Sequence, residues 1–226
     1  MNQQTPHADR FKGQMRDSLR RETPDSHAIR IAKHVHVYTC GDRDGTVYFI
    51  ESGQIKLLML LPEGKECLLA IYTAGDVFGE LCLAGLGARQ ETAVAMEETT
   101  LKQIPCSEFL TLLSRDSLIE GFVQYLAVRI AEQQQVIANL VTVDSEHRLG
   151  ETLLRLAQKL GKRDPRSLRI EHRISHEELA EMVGTTRPRI STFMHRFREL
   201  GLIELSEKRH LIIKEQKLTD YLARIA

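Results

Sequence analysis

Across residues 119–140 the apolar positions recur at alternating spacings of four and three: Ile119, Val123, Leu126, Ile130, Ile137 and Leu140. This is the heptad seam along which one helix packs against a second copy of itself. A helix over this stretch is about 30 Å long at roughly 1.5 Å per residue, enough to join two domains and to dimerise the chain at once. One seam position departs from the pattern. Gln133 sets an amide where an apolar side chain belongs, which costs stability unless the amide finds a partner. Two readings stay open: a polar residue that sets the register of a homodimer, or a contact to a ligand.

The seam divides a chain of 226 residues, which has room for one or two modest domains. No apolar run approaches the roughly 20 residues of a membrane span. Residues 1–26 are polar and carry no apolar h-region, so they do not read as a secretory signal, and the expected location is cytoplasmic. Phe11, Met15 and Leu19 can form one helical face there, yet Pro6, Pro24 and the mixed charges favour a loosely held arm. Cys40, Cys67, Cys82 and Cys106 are scattered without a C-x-x-C pair, pointing to buried free thiols rather than a zinc site or a disulfide framework. The zero net charge conceals an asymmetry: residues 144–226 hold 17 Lys+Arg against 13 Asp+Glu, leaving 14 against 18 for the rest of the totals of 31 and 31. Only the C-terminal part then suits a polyanion.

From Ile29 onward short runs rich in Val, Ile, Leu and Tyr are punctuated by Gly-Asp turns, which predicts a small antiparallel barrel or sandwich. Residues 47–50, 55–61, 67–71, 92–96 and 100–104 are the clearest strands. His34 and His36 alternate on one expected strand face, and without a third ligand at useful spacing they read as ordinary surface or core residues rather than metal ligands. Between the strands, Gly75-Asp76-Val77-Phe78-Gly79-Glu80-Leu81-Cys82-Leu83 is a glycine-bracketed turn running into one helical turn. Such a turn lets backbone N–H groups approach an anion. Arg89 supplies a guanidinium suited to phosphate, and Glu80 can accept from sugar hydroxyls.

After the seam, residues 144–146 mark a domain change, and Leu149, Leu153, Leu156 and Leu160 make a new helical face ending at Gly161. Residues 162–167, with Asp164-Pro165, read as a loop. Ser175-x-x-Glu178 is a capping box that opens a helix carrying Leu179, Ala180 and Val183. Gly184 stops that helix, Thr185-Thr186 form the turn and the next cap, and Pro188 sits in the following first turn. The second helix is expected to pack Ile190, Phe193, Phe197 and Leu200 inward and to present Arg187, Arg189, Ser191, Thr192 and His195 outward. This is a helix-turn-helix with its recognition helix, and its DNA-facing candidates include Thr186 and Pro188. Residues 202–205 and 210–213 bracket Ser206-Glu207-Lys208-Arg209 as a wing hairpin whose tip, Lys208 and Arg209, can touch phosphates. His172, His176 and Glu177 straddle a capped helix start with no H-E-x-x-H, which disfavours hydrolase chemistry.

Gly-Asp-x-x-Gly-Glu-Leu-x-Leu followed by Arg89-Gln90-Glu91-Thr92-Ala93 resembles the phosphate-binding cassette of cyclic-nucleotide-binding domains. With the long helix and the helix-turn-helix, residues 29–213 resemble the Crp/Fnr family of transcription regulators. The resemblance implies an α+β chain: a polar arm (1–26), a cyclic-nucleotide-binding-type β-roll (27–116), a dimerisation helix (117–143) and a winged helix-turn-helix (144–226). It implies that Glu80 holds a ribose hydroxyl and Arg89 a cyclic phosphate, with Gly79 and Cys82 at backbone positions of the cassette and Leu81 and Gln90 beside them. Duplex DNA, a second copy of the chain and RNA polymerase are the implied partners.

Several positions depart from the family pattern. Gln90 and Glu91 stand where cyclic-AMP sensors carry small residues, and Gln133-Gln134 align with the pair that reads adenine, so cyclic AMP is disfavoured against another cyclic nucleotide or a cyclic dinucleotide. No Cys precedes Cys40, which argues against the iron-sulfur cluster of the Fnr branch. Pro188 and Thr192 replace a base-reading Glu and Arg, so the best-known operator does not carry over. Two rivals remain. One is a ligand-independent or redox-responsive regulator, with Cys82 as the residue to watch; the other is a nucleotide-binding module serving an enzyme or channel, which leaves the recognition helix unexplained.

Overall fold

The computed structural model describes residues 6–22, 28–60, 66–164, 167–171, 174–207 and 210–225. The chain divides into two compact units, Met1–Gln133 and Gln134–Ala226.

In the first unit, helix α1 (Pro6–Glu22) precedes strands β1 (Ala28–Ile31), β2 (His36–Tyr38), β3 (Thr46–Ser52), β4 (Gln54–Leu60), β5 (Glu66–Thr73) and β6 (Val77–Phe78). A 3-10 turn (Glu80–Ala84), β7 (Thr92–Ala95), β8 (Thr99–Pro105) and the helices α2 (Cys106–Arg115) and α3 (Ile119–Thr142) follow. The strands make two antiparallel four-stranded sheets in the orders β1-β8-β3-β6 and β2-β7-β4-β5. β3 shows why the run Val47-Tyr48-Phe49-Ile50 is apolar throughout: the side-chain period of two sends Val47 and Phe49 to a core shared with the helices, and Tyr48 and Ile50 to the roll interior. Gly53 closes the β3–β4 hairpin at φ +92°, with Thr99 Cα 2.7 Å from where a Cβ would stand, so only glycine fits.

Within the N-terminal arm the described residues, 6–22, are not loosely held. α1 is a helix whose Phe11, Met15 and Leu19 are buried against Phe109, Leu112, Leu113, Leu118, Phe122 and Tyr125. Full burial of a side chain of this size is worth about 1.5–3 kcal/mol, and Lys12 adds an ion pair to the buried Asp76 at 2.9 Å. The prolines bracket the helix instead of breaking it, since Pro6 opens its first turn, where no N–H is needed, and Pro24 follows its last residue, Glu22. His34 also departs from expectation: it occupies a turn at φ 67° and lies outside β2. Cys40 is exposed and the other three cysteines are half-buried rather than buried.

In the second unit, α4 (Ser145–Leu160) is capped by Asp144, whose carboxylate accepts from His147 N. Its face of Leu149, Leu153, Leu156 and Ala157 is buried. β9 (Gly161–Asp164), β10 (Ser167–Ile170), α5 (His176–Val183), α6 (Arg187–Glu199), β11 (Ile203–Leu205), β12 (Leu211–Ile213) and α7 (Glu215–Ile225) follow. The sheet order is β11-β12-β10-β9, antiparallel throughout. The expected loop at 162–167 is thus largely a hairpin. Its strands are recruited by a distant partner, β12, against which Leu168 and Ile170 pack inward, while the charged β9 serves as the edge, where polar residues are tolerated.

Candidate functional site

The roll interior brings together Gly79, Glu80 and Arg89. Gly79 precedes the 3-10 turn in the left-handed conformation at φ 78°, and a Cβ there would stand 2.9 Å from Arg89 Nη1 and 3.0 Å from Thr46 O. This close approach lets Arg89 Nη1 donate to Gly79 O at 2.8 Å. The guanidinium is buried and nearly saturated: Nε donates to Asp44 Oδ2 at 3.0 Å, Nη2 donates to Thr46 O at 2.6 Å and also to Asp44 Oδ1, and its carbon lies 4.1 Å from the Tyr38 ring centre. Burial alone pushes the Asp44 carboxyl up, but the Arg89 hydrogen bond and charge outweigh it and hold Asp44 below the usual carboxylate range.

Arg129, on α3, was not anticipated and completes the cluster. Its Nη2 pairs with Glu80 Oε1 at 2.8 Å and donates to the Tyr72 hydroxyl, and its guanidinium lies over the Tyr72 ring at 4.7 Å. Glu80 Oε2 is buried without a hydrogen-bond partner among the described residues. A buried carboxylate oxygen with a free lone pair fits a hydroxyl donor such as a sugar. Around these charges the rings of Tyr38, Tyr48, Phe78 and Tyr72 lie in sequence, with centroids 5.1–6.4 Å apart. Glu91 points inward, buried, accepting from Tyr38 Oη at 2.9 Å, and burial raises its carboxyl above the usual range. Gln90 is exposed and donates to Ala88 O at 3.0 Å, which turns its amide away from the cluster. Leu81 is exposed, Cys82 half-buried, and Gln133 and Gln134 are exposed on α3, with Gln133 one helical turn beyond Arg129.

Along α3 the seam is divided. Ile119, Val123, Ile130, Ile137 and Leu140 are each roughly half exposed or more, whereas Leu126 packs against the core of its own unit.

In the second unit the capping box forms: Glu178 N donates to Ser175 Oγ at 3.1 Å, and Ser175 N to Glu178 Oε2 at 2.9 Å. Gly184 ends α5 in the left-handed conformation at φ 67°. Thr186 is the N-cap residue of α6 with its hydroxyl uncommitted to the cap, and Pro188 lies in the first turn. Ile190, Met194 and Phe197 form the inward stripe. Phe193 is only half-buried and Leu200 is 49% exposed, because the i, i+4, i+7 face passes through Met194 instead. The outward set of Thr186, Arg187, Pro188, Arg189, Ser191, Thr192 and His195 is exposed as expected. Ser191 Oγ lies 2.8 Å from His176 Nδ1, and Thr192 Oγ1 donates to Pro188 O, so these hydroxyls have intramolecular partners. Arg187 stands 4.0 Å from Glu177, a surface pair weak enough to exchange for a nucleic-acid contact. Lys208 and Arg209 lie outside the described residues, as does His172; β11 and β12 form the hairpin that leads to the wing tip. Among the described residues no group of three or more His, Cys, Asp or Glu is arranged to hold a metal, and no helix is long and apolar enough to cross a membrane.

Two supporting residues escaped the sequence reading. Arg148 donates to Val183 O at 2.8 Å and also reaches Gly184 O, closing the end of α5. Glu146 accepts from Arg196 on α6 at 2.9 Å and from Tyr221 on α7 at 2.6 Å, fixing the recognition helix to α4 and α7. Neither has a local pattern that announces it, since the partners lie 35 to 75 residues away.

A glycine-led cassette in a β-roll and a capped helix-turn-helix with an exposed basic N-terminus define a DNA-binding regulator with a cyclic-nucleotide-binding domain. The model of the cyclic nucleotide-binding domain matches residues 28–116 and that of the Crp-like helix-turn-helix domain residues 147–221. The chain is 30% identical over 183 residues to the CRP-like cAMP-activated global transcriptional regulator of Mycobacterium tuberculosis, covering 80% of this chain and 82% of that one. It is 31% identical over 189 residues to the global nitrogen regulator of Synechococcus elongatus, covering 81% and 84%. The solved structure of a mutant of CooA from Carboxydothermus hydrogenoformans superposes with a TM-score of 0.73 at 26% identity, covering 91% and 94%. The chain belongs to the Crp/Fnr family of transcription regulators.

Proposed function

We propose that the protein is a cytoplasmic homodimeric regulator that reads a twofold-related DNA site, contacts RNA polymerase, and is controlled by a nucleotide-like effector in the β-roll. The observation that carries the assembly is the exposed apolar seam of Ile119, Val123, Ile130 and Ile137, a row that single protomers leave in water and that heptad spacing fits to its own copy. On the DNA, Arg187 reads a base edge, bidentate to guanine, from the N-terminal end of α6, while Arg189 holds phosphate. Arg187→Ala costs about 1–3 kcal/mol of binding and relaxes the preference at one base pair of each half-site. Binding measured across half-site variants decides this, and an unchanged preference removes the assignment.

The effector reading rests on the unpartnered Glu80 Oε2, which suits a ribose hydroxyl, with Arg89 beneath it for phosphate. Gln133 or Gln134 supplies the base contact. A ligand so bound biases the DNA-binding state only by the difference in its affinity for the two states. Asp44 on the guanidinium and the buried Glu91 beside it weigh against any phosphate there, and cyclic AMP is a poorer fit still, because Gln133 and Gln134 align with the pair that reads adenine. Those same contacts favour a second reading, in which the filled roll is a structural element and the regulator needs no effector.

Calorimetric titration with a panel of cyclic mono- and dinucleotides tests the two. Wild type should respond weakly or not at all to cyclic AMP, and Glu91→Gln, which keeps an acceptor for Tyr38 but removes the charge, should strengthen binding of phosphate-bearing nucleotides by about tenfold. Tight cyclic-AMP binding by wild type contradicts the selectivity, and silence of both proteins toward the whole panel favours the effector-free reading.

A further inference from the structure

Cys82 and Cys106 are 24 residues apart in sequence, yet their sulfurs lie 3.3 Å from each other, with the Cys82 thiol donating to Cys106 Sγ. Cys82 sits in the 3-10 turn of the cassette, two residues beyond Glu80, and Cys106 is the first residue of α2, held by its N–H on Gly45 O at 2.7 Å. Both are partly exposed and both are free thiols, so a small oxidant reaches the pair. We propose that Cys82 and Cys106 form a reversible redox site: a peroxide converts them to an intramolecular disulfide that ties the cassette turn to α2.

The sulfurs need to close by about 1.2 Å to reach the roughly 2.05 Å of a disulfide, a shift within reach of side-chain torsions and a slight yielding of the 3-10 turn. The Cys82 thiol is the donor of the hydrogen bond and Cys106 Sγ its acceptor, and burial together with that bond pushes the Cys82 thiol up; the proposed oxidation therefore begins with attack by the Cys106 sulfur. The Cys106 sulfur attacks one peroxide oxygen; the O–O bond breaks, one water leaves, and Cys106 becomes a sulfenic acid. The Cys82 sulfur then attacks the Cys106 sulfur, the S–O bond breaks, and the hydroxide leaves as a second water with the Cys82 proton. Two thiols are oxidised, one peroxide is reduced to two waters, and a dithiol reverses the change by exchange. In a reducing compartment such a bond is transient, which suits sensing rather than permanent reinforcement. The turn it fixes carries Gly79 and Glu80 at its head, so oxidation stiffens the cassette whether or not an effector binds there.

The test treats the reduced full-length protein with hydrogen peroxide. Two of the four thiols should be lost together, the intact mass should fall by two hydrogen atoms, and digestion should yield a peptide linking Cys82 to Cys106 that dithiothreitol releases. Cys40→Ser should form the same link. Cys82→Ser should instead stop at a sulfenic acid on Cys106 that dimedone captures. Amide exchange across residues 79–85 should slow by at least about tenfold in the oxidised protein. The site is overturned if Cys82 and Cys106 both remain open to alkylation after peroxide, or if either links to Cys40 or to a second protomer instead. Unchanged exchange in a correctly linked protein overturns the stiffening.

Discussion

Replacing Arg89 by Leu lowers the stability of the first unit by about 3 kcal/mol, a value at the low end of the range for breaking a buried ion pair. Arg89 is 4% exposed and ties Asp44, Thr46 O and Gly79 O together. Leucine leaves those three acceptors without their donor. The cost stays at the low end because the Asp44 side chain keeps 32% of its surface in water. Its pH dependence has a defined sign. Asp44 is held below its ordinary range when folded, so the pair's contribution is present above the unfolded value of about 3.9 and fades as pH falls through the depressed folded value. Urea unfolding of wild type and variant should therefore differ most at neutral pH, and the difference should narrow below about pH 4 as the Asp44 contribution is lost, the bonds to Thr46 O and Gly79 O remaining. An Arg89→Leu protein as stable as wild type at pH 7 contradicts the geometry, and one that binds a wild-type effector undiminished removes Arg89 from the phosphate site.

The second large effect concerns assembly. Ile137 is 62% exposed in the protomer, so Ile137→Asp leaves the protomer fold intact while placing a carboxylate in the seam. A dimer buries two such charges, each costing about 3 kcal/mol or more without a partner, which weakens association by about 10⁴-fold. Light scattering should report monomers with an unchanged circular dichroism spectrum, and specific DNA affinity should fall with the dimer. Leu126 is the less suitable probe, because it packs against the core of its own unit and Leu126→Asp damages the fold as well. A dimeric Ile137→Asp protein places the interface elsewhere.

The parts readable in the sequence are those written in local patterns. Ser175-x-x-Glu178 and Gly184 carry their own signal because cap and terminus chemistry involves neighbours three or four residues away. The closeness of Gly79 and Arg89 was legible because the motif that holds them is continuous in sequence, and the unbroken apolar run of β3 marked a strand. What was missed depends on distant partners. The apolar stripe of α1 was visible, but the surface that buries it comes from α2 and α3, about a hundred residues on. Residues 162–167, which hold most of β9 and the first residue of β10, read as a polar loop, and it is the pairing of β10 with β12 that makes them part of a sheet. Arg129 carries no local signal in the sequence, and only the closed roll sets it against Glu80 and Tyr72. The pairing of Cys82 with Cys106 is of the same kind: two scattered thiols in sequence, 3.3 Å apart in space.

The central claim, a dimer reading DNA through α6, is tested most directly by selecting binding sites from a random duplex pool with the full-length protein and sizing the resulting complex. Two protomers should bind one duplex, and the selected sites should be twofold symmetric with half-sites about one helical turn, roughly 10 to 11 base pairs, apart. The Arg187→Ala protein should select the same symmetric frame with one base position per half-site no longer specified. Enrichment of no sequence, or of an asymmetric site filled by a single protomer, would contradict the account.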